Sequence, residues 1–430
     1  MITDATRMCE LLVGLPDVVV LGIVDDVDDV LEVHVEQRDV RPLCRVCSTP
    51  GRVKDRPAVT LVDLPSFGRR ARLVWHKHRW CCANDACMVG SWTGEDARIA
   101  SPRLSLTDRA GRWVTVQVGR HGRAVSEVAA DLGCGWHVVN DAVLAYGREL
   151  VDDPARVGTP TAVGLDETMF KHTGEFRAQC WSTQIVDVGA GVLLDIVAGR
   201  DAAGPCAWFA TRSAAWIAGV VWATLDLSAS YRSVFNTMLP DAVQVADPFH
   251  VVRVANTALD ECRRRVQNET LGHRGRKDDP LYRARRRLTM AAERLTVDGH
   301  ERLMGLLDAG DPHREVWYAW NAKEVVRQTY DHTDSRLARE WVAEICRDFI
   351  DKAMPIEVRR LGRTIKKWRT EIVAWHDAHV SNGPTEAINN LIKRVKRTAF
   401  GFHRFEHYRI RSLLYAGRPN WDLLATITPR

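Results

Sequence analysis

In Ala162-Val163-Gly164-Leu165-Asp166-Glu167-Thr168 a short apolar run, Ala162–Leu165, leads into the acids Asp166 and Glu167. Apolar residues in such a run, bounded by polar segments, are typical of a buried strand. An acid at the end of a buried strand is unfavourable unless it is paired or binds a cation. The run Val220-Val221-Trp222-Ala223-Thr224-Leu225 repeats the arrangement and closes on Asp226. On neighbouring strands, Asp166 and Asp226 would stand at one sheet edge.

Working outward, Ala178–Val188, Val192–Val197 and Val243–Ala246 are further strand candidates. Gly189-Ala190-Gly191 supplies a hairpin turn between the first two. Pro205–Ala215, Ser230–Met238 and a long stretch from Phe249 to Asn268 read as helices. Residues 270–380 are helical in pattern, basic and rich in tryptophan (Trp317, Trp320, Trp341, Trp368, Trp375). Hairpin strands followed by strands alternating with helices predict a mixed α/β sheet with helices on its faces and a helical insertion.

Upstream, Asp152-Asp153-Pro154 and Gly158-Thr159-Pro160 form a polar linker. Residues 17–36 alternate apolar and acidic and predict two short strands joined at Asp25-Asp26-Val27-Asp28-Asp29. The expected divisions are 1–100, strand-rich with a cysteine module; 101–155, helical; 160–268, the first part of the core; 269–380, the insertion; and 381–430, the last helix of the core with a basic tail.

The chain has 430 residues, 46% hydrophobic and 27% charged, which excludes disordered and collagen-like classes. No apolar run reaches the roughly 20 residues of a membrane span, and the N-terminus lacks a basic-then-apolar signal. The expectation is a cytoplasmic, nucleoid-associated protein without a membrane partner. Net charge is only +5, but it is unevenly spread. Residues 1–36 carry nine acids against Arg7, residues 41–80 ten bases against Asp55 and Asp63, and residues 387–411 seven bases against Glu406. Local basic clusters on a nearly balanced chain suit a polyanion docking on particular surfaces.

Eleven cysteines in a chain with no export signal argue against a disulfide framework. Cys44-x2-Cys47 and Cys82-x4-Cys87 each space two thiolates for one metal, and four sulfurs make a closed structural Zn²⁺ site. Cys81 is an alternative ligand to Cys82. Strands at Val59–Val62 and Ala71–Trp75 can bring the two pairs together. Residues 124–140 then read as a helix, a Gly133-Cys134-Gly135 turn and a second helix, a helix-turn-helix pattern. The exposed start of that second helix, Trp136, His137 and Asn140, would face a DNA major groove.

A third acid lies in Asn382-Gly383-Pro384-Thr385-Glu386-Ala387-Ile388-Asn389-Asn390, where Asn382 can cap a helix and Pro384 suits its first turn. Oxygen ligands suit Mg²⁺ or Mn²⁺, and three carboxylates can hold two such ions for phosphodiester displacement. Asp247, after its own short strand, competes with Asp226 for the second position. His250 lies close by, either as a phosphate contact or as a packing histidine.

These motifs resemble the ISL-three family of bacterial insertion-sequence transposases over nearly the whole chain. The resemblance is carried by the cysteine pairs, Gly164–Thr168, Leu225-Asp226-Leu227-Ser228, Ala246-Asp247-Pro248-Phe249-His250-Val251-Val252 and the run from Asn382 through Arg397 to Phe402. It implies an RNase H-like core with a helical insertion before the last acid, and Asp166, Asp226 and Glu386 as a metal-binding catalytic triad. It also implies a zinc finger and helix-turn-helix that hold terminal inverted repeats. Lys393, Arg394, Lys396 and Arg397 follow Glu386 by two to three turns and would contact the DNA backbone. The activity implied is cleavage and strand transfer on double-stranded DNA, by a homodimer that bridges two ends. A DNA-binding regulator with an inactive core, or a nuclease of the same fold, are the rival readings.

Overall fold

The computed structural model describes residues 4–15, 17–25, 30–38 and 41–429. Two compact units emerge: Met1–Gly158 with Asn390–Arg430, and Thr159–Asn389. The expectation placed 381–430 at the end of the core. Residues 390–430 instead cluster with the N-terminal unit.

In the first unit α1 (Ala5–Val13) precedes β1 (Val18–Asp25), β2 (Val30–Gln37), β3 (Gly51–Asp55), β4 (Ala58–Ser66), β5 (Arg69–His76), β6 (Arg79–Cys82) and β7 (Ser91–Thr93). Four strands form a sheet in the order β1-β2-β5-β4, and β3-β6-β7 form a second one. The acidic turn expected before β2 falls, from residue 26 to 29, outside the described residues. Val18, Val35, Leu61, Leu73, Trp75 and Ile99 make the core of the larger sheet. The β4–β5 hairpin belongs to that sheet, and after it β6 pairs antiparallel with β3, setting Cys82 opposite Gly51.

Three helices follow: α2 (Asp108–Thr115), which continues into a π-helical turn, α3 (Val125–Leu132) and α4 (Trp136–Val151). Thr107 caps α2 by accepting from the Ala110 N–H at 3.3 Å. Gly133, at φ 62°, ends α3 in the left-handed region that a residue with a Cβ rarely adopts. Val139 and Val143 of α4 are buried. So is Asn140, which corrects its reading as a groove-facing residue. It stands two turns before Gly147, on the side of α4 against which the C-terminal segment packs through Ile410 and Leu414.

The second unit is built on β8 (Ala162–Thr173), β9 (Ala178–Asp187), β10 (Val192–Ala198), β11 (Trp222–Leu225) and β12 (Val243–Ala246), in the order β10-β9-β8-β11-β12. β8, β9 and β10 pair antiparallel, while β8, β11 and β12 run parallel. β8 outruns the expected Ala162–Leu165 because Thr168 and Phe170 continue it with alternating burial along β9. The helix expected at Pro205–Ala215 is two, α5 (Ala203–Ala210) and α6 (Ala214–Gly219). Ser213 restarts the helix by accepting from the Trp216 N–H at 3.1 Å.

α7 (Ala229–Met238) precedes β12, and α8 (Pro248–Leu271) follows it. Then come α9 (Pro280–Thr289), α10 (Val297–Gly310), α11 (Glu315–Gln328), α12 (Ser335–Asp348), α13 (Ile356–Lys367) and α14 (Arg369–Ala378). α8 is the spine against which α11 and α13 pack, and α14 lies on β12. α15 (Gly383–Thr398) leaves this unit at Asn389, and α16 (Phe405–Ala416) lies in the first unit. No helix among the described residues is long and apolar enough to cross a membrane.

Two glycines test the packing with opposite signs. A Cβ on Gly111 would lie 2.5 Å from the buried ring of Tyr146, whose hydroxyl is tied to Asp108 at 2.7 Å. Gly111→Ala is expected to destabilise by about 1–2 kcal/mol, because overpacking outweighs the helix-propensity gain. Gly305, in α10, has nothing within 4 Å of such a Cβ, so Gly305→Ala should stabilise by about 0.5–1 kcal/mol. Thermal melts of the two variants check both signs.

Candidate functional site

The parallel register sets Trp222 beside Ala162 and Thr224 beside Gly164. Two places further on, Asp226 stands level with Asp166. Leu225 pairs with Ala246 on the other side, so Asp247 stands level with Asp226. Three acids thus form a row across neighbouring parallel strands about 4.8 Å apart, Asp226 and Asp247 just past the carboxyl ends of β11 and β12 and Asp166 within the longer β8.

The N-terminus of α15 is laid over this row. Asn382 donates from Nδ2 to Asp226 Oδ1 at 2.7 Å, and its backbone N–H donates to Asp247 Oδ1 at 2.9 Å. Thr224 Oγ1 donates to Asn382 Oδ1 at 3.1 Å. Two turns later, Asn389 Nδ2 donates to Asp166 Oδ2, while Asn389 Oδ1 accepts from Thr168 at 2.9 Å. A Cβ on Gly164 would meet Asn382 Oδ1 and Thr385 Oγ1 at 2.6 Å and Thr224 Oγ1 at 2.7 Å. Glycine is therefore what lets the helix approach the strand. At 100° per residue Asn382, Glu386 and Asn389 share an arc of about 60° on one helix face. Glu386 sits between the two asparagines and is exposed.

His250, in the first turn of α8, joins the row from the other side. Its Nε2 lies 2.9 Å from Asp226 Oδ2 and its Nδ1 2.9 Å from Asp247 Oδ2. It is a buried, satisfied histidine and not a free phosphate contact, since both ring nitrogens bridge carboxylates. Burial disfavours its charge, but the two carboxylates outweigh burial and raise it to about 9. Burial likewise works against an ionised Asp247, yet the bonds from His250 and from the Asn382 N–H hold that carboxyl below its ordinary range. Asp166 goes the other way. Burial first and the Asp226 charge second push its carboxyl up to about 7.

An all-oxygen donor set in which one half-buried carboxylate is lifted by another fits a hard divalent cation, which would relieve that repulsion. Asp166, Asp226 and Glu386 are the acids on hand to hold it. Their ligand atoms are not drawn into a tight cluster by the protein alone. Among the described residues only Cys44, Cys47, Cys82 and Cys87 bring such atoms all within 4.8 Å of one another.

The cysteine quartet is ready for a metal such as Zn²⁺. Cys44 Sγ lies 3.8 Å from Cys87 Sγ, and Cys47 Sγ lies 3.4 Å from Cys82 Sγ. Sulfurs about 2.3 Å from a tetrahedral zinc are separated by about 3.8 Å. Cys47 is lowered to about 6 by hydrogen bonds with Thr49. Cys81 points away, with Arg52 Nε donating to its sulfur at 3.3 Å, so Cys82 is the member of the quartet.

Elsewhere in the first unit Trp136 and His137 are exposed at the start of α4. Along α15, Lys393, Arg394 and Arg397 are exposed, while Lys396 is half-buried and lowered by burial and by Lys393. Sequence reasoning missed Thr224, Thr385 and Asn389 and gave Asn382 only a capping role. The seven-residue spacing of the asparagines, two turns on one helix face, was the available signal.

Two outcomes follow from this geometry. Cys82→Ser should lose the bound zinc while Cys81→Ser retains about one ion per chain, as read by elemental analysis. The second outcome concerns Asp166. Its folded-state value lies above the unfolded one, so its contribution to stability is greatest below about pH 4 and is lost as pH rises to about 7. Asp166→Asn should therefore melt higher than the parent at pH 8 without added divalent cation, by about 1–3 kcal/mol, and the gain should shrink towards pH 4.

A family profile of the ISL-three type, described as "Transposase", matches residues 163–412, which include the whole carboxylate row and α15. The transposase for insertion sequence element IS1557 of Mycobacterium tuberculosis is 29% identical over 315 residues, 67% of this chain and 66% of that protein. The chain therefore spans about two thirds of that relative's length. The transposase for insertion sequence element IS1001 of Bordetella parapertussis is 23% identical over 407 residues, 89% of this chain and 91% of that protein. With more than half of its length matched by one profile, the chain belongs to the ISL-three family of transposases.

Proposed function

We propose that the chain is a metal-dependent transposase that cuts DNA at the terminal inverted repeats of an insertion sequence and joins the freed ends to target DNA. One observation carries the reading: Asp166 and Asp226 stand level on neighbouring parallel strands, and both are bonded to the helix that bears Glu386. In this reading Asp166, Asp226 and Glu386 hold Mg²⁺ or Mn²⁺. Bound there, the ions supply Lewis acidity to the scissile phosphate and acidity to the attacking water or 3′-hydroxyl.

The remaining roles fall to the chain's own groups. Asn382 and Asn389 orient the two aspartates without neutralising them. Asp226 is favoured as the second acid because β11 is the immediate neighbour of β8, whereas Asp247 lies one strand further from Asp166. Asp247 then positions His250 and the start of α15. The strand order, with three antiparallel strands followed by two parallel ones, supports an RNase H-like core. Lys393, Arg394, Lys396 and Arg397, further along α15, would bind backbone phosphates. The zinc module and the α3–α4 pair, with Trp136 and His137 outermost, would hold the repeats. Two ends must be held at once, so the working form is a homodimer acting on DNA in the nucleoid.

The test uses Mg²⁺ with two substrates, intact element ends and precut ends bearing a 3′-hydroxyl. Asp166→Asn, Asp226→Asn and Glu386→Gln should each lower both cleavage and joining by at least about a hundredfold. Full activity of Glu386→Gln would overturn the triad. Cleavage without joining would make the protein a nuclease.

A further inference from the structure

A cavity of about 780 Å³ in the second unit lies away from the carboxylate row, between α12 and α14 and against β12. Its floor is apolar. Val342 and Cys346 on α12 face Val373 and Ala374 on α14. Val243, at the start of β12, and Ile350 add apolar surface that is more than two-fifths exposed. Its rim is cationic, with Arg339, Arg347, Lys366 and Arg369 against the single acid Asp377.

Neither Arg339, Lys366 nor Arg369 makes an ion pair with a carboxylate among the described residues, and Arg347 has only Glu344, at 3.7 Å between two exposed side chains. Several other cations of this unit are ion-paired. Arg232 pairs with Glu371, Arg265 with Glu315 and Glu357, and Arg327 with Glu293 and Glu324. The Lys366 and Arg369 charges both reach the Cys346 thiol, which places them together at one end of the cleft. Uncompensated cations around an apolar floor fit a ligand with an anionic edge and an apolar body, and a nucleotide unit has both.

We infer that the α12–α14 cleft is a second DNA contact, a seat for an unpaired strand whose phosphates meet Lys366, Arg369 and Arg347 and whose sugars and bases cover the apolar floor. Charge complementarity favours a strand over an apolar protein helix. Position favours the protein's own substrate. Val243 and Asp247 lie at opposite ends of β12, about 13 Å apart at the rise of a strand. A strand leaving the carboxylate row along β12 would reach the cleft within about four nucleotides even at the 3.4 Å stacked spacing of a duplex strand, and sooner if extended. The inference rests on the reading of the chain as a DNA-processing enzyme, but not on its metal chemistry.

Binding is therefore measured with the full-length Asp166→Asn protein, which is not expected to cut. The probes are fluorescent duplex ends carrying zero, two or eight unpaired nucleotides, free oligothymidylate, and thymidine monophosphate. The expected result is tighter binding of the eight-nucleotide tail than of the blunt or two-nucleotide ends. Lys366→Gln with Arg369→Gln should weaken binding of the tailed end by about tenfold, leave blunt-end binding unchanged, and reduce the salt slope by about 1.4. Ala343→Glu, at an exposed position of the lining, supplies the missing carboxylate and should act in the same direction without disturbing the fold.

Equal binding of blunt and tailed ends, or an unchanged salt slope in the double variant, would overturn the inference. So would thymidine monophosphate binding as tightly as the oligonucleotide, which would mark a free-nucleotide site. Loss of cleavage in parent protein with an intact tail preference would count against the catalytic reading alone.

Discussion

Gly164 has no side chain, and the site depends on that. Three polar atoms, from Thr224, Asn382 and Thr385, converge within 2.7 Å of where its Cβ would be. With glycine there, the first turn of α15 settles directly over β8 and β11, and two asparagines reach the acids on the strands beneath. With any other residue the helix would stand off, the bonds to Asp226 and Asp166 would lengthen beyond use, and Glu386 would be carried away with them. An invisible atom thus fixes the spacing between a sheet edge and the helix that completes it.

The choice of partners for the acids matters as much as their position. Elsewhere in the same unit carboxylates are neutralised by guanidinium groups, as Glu371 is by Arg232 and Glu357 by Arg265. At the carboxylate row the chain uses amides instead. An arginine would cancel the negative charge and occupy the lone pairs that a cation needs. An asparagine donates one hydrogen bond, fixes the rotamer and leaves the charge in place. The result is a pair of half-buried acids whose mutual repulsion is retained, at a cost in stability that a bound divalent ion would offset. His250 is the exception, and it sits on the Asp226–Asp247 side, away from the bond that Asn389 makes to Asp166.

Much of this was legible in the amino-acid sequence. Short apolar runs ending on Asp166, Asp226 and Asp247 mark strands, because burial and alternation dominate there. The cysteine spacing marks the metal-ready quartet, since thiolate geometry is local. What was not legible depends on tertiary approach. Asn140 looked groove-facing because helix periodicity alone does not say that α16, some 270 residues later, covers that side. The extension of β8 to Thr173 was hidden because its outer half alternates polar residues and is held by pairing with β9 rather than by its own hydrophobicity. The amide clamps were hidden for the same reason. Asn382 and Asn389 are ordinary helix residues until a strand with a glycine is placed beneath them.

The long helical insertion raises its own physical question, which is how a sheet edge stays ordered when the chain leaves it for over a hundred residues. Asp247 supplies the closure. It caps the first turn of α8, where the chain departs, through the His250 N–H at 3.2 Å, and it accepts the Asn382 N–H at 2.9 Å, where the chain returns. One buried carboxylate therefore holds both ends of the excursion. Loop-closure entropy grows only as the logarithm of length, so a longer insertion adds little further penalty once its two ends are tied together. That arrangement also separates the roles of neighbouring acids. Asp247 is bonded to both ends of the insertion, whereas Asp226, bonded to the Asn382 amide and the His250 imidazole, stands one strand nearer to Asp166. A carboxylate two strands from Asp166 that also staples the fold is poorly placed to share an ion with it, and the adjacent one, about 4.8 Å away at the spacing of neighbouring strands, is within reach.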